Sequence, residues 1–195
     1  MITERVSDPI TSSNITGWLR NQMVTNAQSQ VVQNIQENWH SWNPINKDAA
    51  LQAWVALVGT GATWDFKVDI ERTTWFANGE RNVTLGNREL NFDAGANIHF
   101  GFVGRAAGFS EEFLAAAAGL AQFQTYQANP VPLNQGVCDT NSYCDQPFAT
   151  WSIRFGSYLY DLYGDRLDEL DDDAFANTLE DYIEEYGEPP DPPGS

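Results

Sequence analysis

"NFDAGANIHFGFVGRAAGF", residues 91–109, decides how this chain folds. It sets four glycines and four alanines around Asp93, Asn97, His99 and Arg105. The stretch is not the G-x-G-x-x-G of a dinucleotide loop, and it lacks the Lys and Ser/Thr of a Walker loop. "GFVG" alone is a weak phosphate signal. Read as a helix, it places Asn97, Gly101, Gly104 and Gly108 on one face, at spacings of four, three and four. A glycine inside a helix costs about 1 kcal/mol relative to alanine. A helix that carries this cost repeatedly needs bare backbone for close packing. The expected neighbour is the next helix, "FLAAAAGLAQ" at 113–122, which is also poor in bulky side chains.

Helical signals flank this centre on both sides. Ile15, Leu19, Met23, Ala27, Val31, Ile35 and Trp39 recur every four residues, with Trp18, Val24 and Val32 alongside. That stripe predicts one long helix, with Ser12 or Ser13 as its N-cap. Asn46 is the expected cap of a second helix that ends at Gly59. Residues 63–90 are rich in β-branched and aromatic side chains, with turn signals at Asn78-Gly79 and Gly86-Asn87. They predict a small antiparallel sheet over 63–91. Later helices are expected after Ser110, from Asp145 with Pro147 in the first turn to Gly164, and through 172–187. The fold expected is α+β and mainly helical, with helices packed around a small antiparallel sheet. It forms a single domain over 1–187, and "EPPDPPGS" at 188–195 is a disordered tail.

The net charge of −17 is uneven. Residues 161–195 carry 13 Asp or Glu against one Arg. The body is only mildly acidic, so charge argues weakly against a nucleic-acid partner. No run reaches the roughly 20 apolar residues of a membrane span, and no membrane partner is expected. Cys138 and Cys144 have the spacing of a small disulfide loop; free thiols are the alternative. With no His nearby they make a poor zinc site, and neither metal nor cofactor is expected.

Polar residues inside apolar stretches mark the candidate site. "TWDFK" puts Asp65 and Lys67 two apart on an expected strand, hence on one side. Such a pair is either a surface ion pair or an acid held by a charged neighbour. His99 alone reads first as a hydrogen-bonded core residue. Glu89 and Asp93 complete the acids of this region.

Taken together, "WDFK" at 64–67, "GANIHFGFVGRAAGFS" at 95–110, "LAAAAGLAQ" at 114–122 and "CDQPFATWSIRFGSYLY" at 144–160 resemble the bacterial polymorphic toxin type 44 domain, also found in fungi. The resemblance covers about residues 60–164. The family typically shows W-D-x-K, then G-N-x-x-[FY]-G-x-x-G-x-x-x-G-[FY], an A-G-x-x-Q helix and a late D-D-P-x-D element. Here "GAN" replaces "GN", and only Asp145 and Pro147 match the late element. The resemblance implies a toxin that damages competing cells, secreted, with an immunity protein as partner.

Three functions compete. A muramidase-like hydrolase of peptidoglycan needs two carboxylates, drawn from Asp65, Glu89 and Asp93, with Trp64, Trp75 or Phe76 stacking on sugar rings. Asn97, Arg105 and Asp145 would help to bind substrate. A metal-independent ribonuclease would use His99 with Lys67 or Arg105, but no basic cluster with interleaved aromatics supports it. A non-enzymatic module would use the acidic run Asp171–Asp173, whose plain reading is a solvated helix start. The expectation is the glycan hydrolase, acting as a monomer. In it Asp65, Lys67, Asp93 and His99 converge on one cleft, and Lys67 keeps a neighbouring carboxylate ionised.

Overall fold

The structure, a computed structural model, describes residues 10, 13–78, 81–128 and 145–191, without the side chains of 73–78 and 122–128. Among these residues the order is α1 (Thr16–Ala27), α2 (Gln30–His40), α3 (Pro44–Val58), α4 (Lys67–Asn78), β1 (Asn82–Leu85), β2 (Arg88–Asn91), α5 (Asp93–Ala106), α6 (Glu111–Ala128), α7 (Pro147–Tyr163), a 3-10 turn (Leu167–Glu169) and α8 (Asp172–Tyr186). The fold is mainly helical α+β, as the sequence predicts.

Residues 91–109 form the centre. Nearly every side chain of α5 from Ala94 to Ala106 is buried. Its tightest neighbour is α7, not α6 as the sequence suggested. A Cβ on Gly101 would collide with the Ile153 carbonyl oxygen, and one on Gly156 with the Ile98 carbonyl oxygen. The two backbones are therefore in direct contact. Gly104 does face α6, where Leu114 fills the space above it. Gly108 lies beyond the helix end with φ +88, a conformation that favours glycine. It ends the helix rather than extending its bare face.

Further expectations are corrected. The first long helix breaks in two, because the Ser29 hydroxyl donates to the Asn26 carbonyl (2.6 Å) and accepts from Val32 N–H. A serine that bonds backbone on both sides competes with helix continuation and caps a new one. Asn14, not Ser12 or Ser13, accepts the Thr16 N–H (3.1 Å); Ser12 lies outside the described residues. Asn43, not Asn46, caps α3. The expected strand at "WDFK" is instead a turn running into α4. Among the described residues the sheet is the hairpin β1–β2, pairing Val83 with Leu90 and Thr84 with Glu89. Its Gly86-Asn87 turn is as expected, with Gly86 at φ +58; Gly79 lies outside the described residues.

The acidic C-terminal segment is built in. Asp171 caps α8 through Ala174 N–H (2.8 Å). Arg20 binds Asp172 (2.8 Å), and Arg88 binds Glu180 and Glu188. Phe175, Leu179, Tyr182 and Ile183 are buried against the body. The run Asp171–Asp173 thus starts a packed helix. Cys138 and Cys144 lie outside the described residues.

Candidate active site

Between the end of α3, the turn before α4, and the faces of α5, α6 and α7 lies a cleft of about 270 Å³. The turn is set by local bonds. Ala62 N–H donates to Gly59 C=O (2.8 Å), Trp64 N–H to Leu57 C=O (2.8 Å) and Asp65 N–H to Ala62 C=O (3.1 Å). Gly61 at φ +76 permits this path, and its N–H donates to Asp65 Oδ2 (2.9 Å). Trp64 and Asp65 are thereby fixed on one wall, with Lys67 at the start of α4 beside them.

Asn97 enters from α5 and Asp145 from the residues just before α7. Asp145 was expected to cap α7. The N-cap is Gln146, and Asp145 Oδ1 instead accepts the Gln146 N–H (2.8 Å). Its side chain is only 5% exposed, yet it lines the cleft. Burial holds its carboxyl above the ordinary aspartate value; the Gln146 amide and Lys67 pull it down, and Asp93 pushes it up. Asp93 is one turn from Asn97 on α5 and so shares its face. Its Oδ1 lies 3.9 Å from Lys67 Nζ. Its carboxyl is also raised, first by burial and opposed by Lys67. Asp93 is not among the residues lining the cleft, but it belongs to the same charge cluster: Asp65, Asp93 and Asp145 around Lys67. The structure thus brings Asp65, Lys67, Asn97 and Asp145 to one cleft, with Asp93 beside Lys67 and off its lining.

It does not extend to His99. That ring is 1% exposed and does not line the cleft. It meets Asn26 Nδ2 through Nε2 (2.9 Å) and packs edge-on against Phe66 and Trp64, with ring centroids 4.7 and 5.9 Å away. Trp64 separates it from the cavity by touching both. Burial holds the imidazole down to about 3. Its folded value lies below the unfolded value of about 6.5. Below that pH the unfolded chain takes a proton that the folded chain refuses, so stability falls as pH drops. Urea midpoints measured between about pH 7 and 4 should show His99→Gln losing less stability than the wild type, with a difference of about 1.4 kcal/mol per pH unit. Parallel pH profiles would refute the buried, neutral imidazole.

Two other expected residues also lie off the cleft. Glu89 is exposed on β2. Arg105 binds Asp161 (2.8 Å) and the Phe109 carbonyl (2.8 Å), a structural role. The side chains of Trp75 and Phe76 are outside the described set. The sequence reading missed the apolar walls: Ala96 and Phe100 on α5, Ala118 on α6, Ala149 and Ile153 on α7. The run of alanines was the available signal, since small side chains at a helix contact leave room for a cavity. Among the described residues, no group of three or more His, Cys, Asp or Glu could hold a metal ion.

The fold and the cleft define a small, mainly helical domain with carboxylates arranged around one lysine. The model of the family described as Bacterial toxin 44 matches residues 53–162, more than half of the chain. The chain belongs to that family and carries a toxin domain. Every residue named above as lining the cleft falls inside the match, whereas α1, α2 and α8 lie outside it. No curated protein and no solved structure matches the chain. No helix among the described residues is long and apolar enough to cross a membrane.

Proposed function

We propose that the domain is a glycoside hydrolase that cuts bacterial cell-wall glycan. Asp145 is the general acid, and Asp65 is the second carboxylate, acting as base or nucleophile. One observation carries this reading: two carboxylates line one cleft in different environments, and the buried one has the raised pKa. A carboxyl whose pKa is raised by burial holds its proton more readily and can deliver it to a glycosidic oxygen, while the half-buried Asp65 stands in the same cleft to assist. Trp64 offers an aromatic wall for a sugar ring. Lys67 and Asp93 tune the acid from beside it. The ribonuclease alternative loses its base, because His99 is buried, and a phosphate in the cleft would meet two carboxylates and one lysine. Secretion and an immunity protein that blocks the cleft follow from a toxin with an extracytoplasmic target.

Incubation with purified peptidoglycan should release muropeptides with new reducing ends, while total RNA remains intact. Digestion of RNA without glycan cleavage would overturn the reading. The tuning makes a second prediction, with opposite signs. Activity falls as pH rises through the pKa of the acid. Lys67 lowers that pKa and Asp93 raises it. Lys67→Met should therefore move the alkaline limb of kcat to higher pH, and Asp93→Asn to lower pH. Limbs that stay in place, or move together, would remove Asp145 from the acid role.

A further inference from the structure

We propose that Asn97 selects N-acetylated sugars: the floor of the cleft seats the acetamido group of a 2-acetamido hexosyl unit. The inference rests on the glycan reading and names the feature of the glycan that the cleft reads.

Asn97 is 7% exposed and lines the cleft, and its Nδ2 meets no acceptor among the described residues. A buried amide N–H without a partner is costly, and native structures rarely keep one without a use. The terminal torsion of asparagine is soft, so a small rotation turns this donor toward an acceptor entering the cavity. Around it the walls are apolar and short: Ala96, Ala118, Ala149 and Ile153. A group that satisfies both features carries a carbonyl oxygen for the amide and a methyl for the alanines. The acetamido substituent has both in adjacent atoms. The 2-hydroxyl of a plain hexose offers no methyl and leaves the apolar wall against water. An unsubstituted 2-ammonium would be drawn to Asp65 instead and would leave the Asn97 donor unmet. The seat is also rigid. The backbone contact at Gly101 and Gly156 fixes α5 to α7 one turn from Asn97 and from Ile153.

The test is calorimetric titration of the full chain with three β-1,4 tetramers that differ only at C2: N-acetylglucosamine, glucose and glucosamine. The ligand is checked by mass spectrometry afterwards. An N-acetylated stem tripeptide serves as a fourth arm, since a peptide carbonyl offers the same acceptor. The N-acetylated tetramer should bind about tenfold or more tighter than the glucose tetramer, the size expected when a buried donor is met or left unmet. Asn97→Asp, which keeps the shape and removes the amide donor, should abolish that preference. If Asn97→Asp fails to fold, Ala149→Val decides: it narrows the methyl seat without touching the amide and should reduce the same preference. Equal binding of the N-acetylated and glucose tetramers overturns the proposal. So does tighter binding of the glucosamine tetramer, preferential binding of the tripeptide, or no binding of any ligand at millimolar concentration. Preferential binding with peptidoglycan left uncut would instead sink the hydrolase and keep the seat. Cleavage of peptidoglycan with no C2 preference would do the reverse.

Discussion

Asp145→Asn is expected to lower kcat on peptidoglycan by about 10²-fold or more, the loss typical of a missing general acid. The substitution keeps the shape of the side chain and an oxygen to accept the Gln146 N–H, so position is preserved. What it removes is the proton. The fold should not suffer. Burial raises the Asp145 pKa above its unfolded value. For a carboxyl this means that ionisation opposes folding: the destabilisation is absent at low pH and grows as pH rises above the unfolded pKa. At neutral pH the asparagine variant should melt at the same temperature as the wild type or higher. Lost activity with retained stability is the signature of a group kept for chemistry against its own stability. Full activity in Asp145→Asn would end the proposed role. A collapse in melting temperature would show that the side chain is structural.

Gly156→Ala is the largest expected loss of stability. The added methyl would fall on the Ile98 carbonyl oxygen, with the Ile98 carbonyl carbon at 2.8 Å and its Cα at 3.0 Å. These are backbone atoms of a buried helix, and no rotamer change relieves the clash. Overpacking typically costs about 1–3 kcal/mol, and this case belongs at the top of that range or beyond. For a chain of this size that is a fall in melting temperature of about 6–12 °C. Separating α5 from α7 would also part Asn97 from Ala149, so activity should fall in the molecules that still fold. Gly104→Ala is the control. There the obstacle is the end of the Leu114 side chain, which can move, and the cost should be smaller. An unchanged melting temperature for Gly156→Ala would contradict the backbone contact at the centre of the fold.

The sequence by itself determined that a central helix with bare backbone lies within residues 91–109. Glycine is selected locally wherever a Cβ cannot fit, and its spacing is readable. It also determined α8 with its acidic start, the Gly86-Asn87 turn, and the ends of α3 and α7. Which partner uses the bare face was decided in three dimensions. Gly101 and Gly156 lie 55 residues apart on different helices, and no local pattern shows that each faces a carbonyl of the other helix, Ile153 for Gly101 and Ile98 for Gly156. The "WDFK" segment looked like strand because aromatic and β-branched residues favour strands. It became a turn and a helix because Phe66 and Ile70 are both buried four residues apart, a helical spacing that only the core can reward. The site divided in the same way. The sequence supplied its charges, but burial sorted them. His99 was withdrawn into the core behind Trp64, and Asp145 was set in the cleft under desolvation. Burial is a property of every neighbour at once, and so no single stretch of sequence carries it.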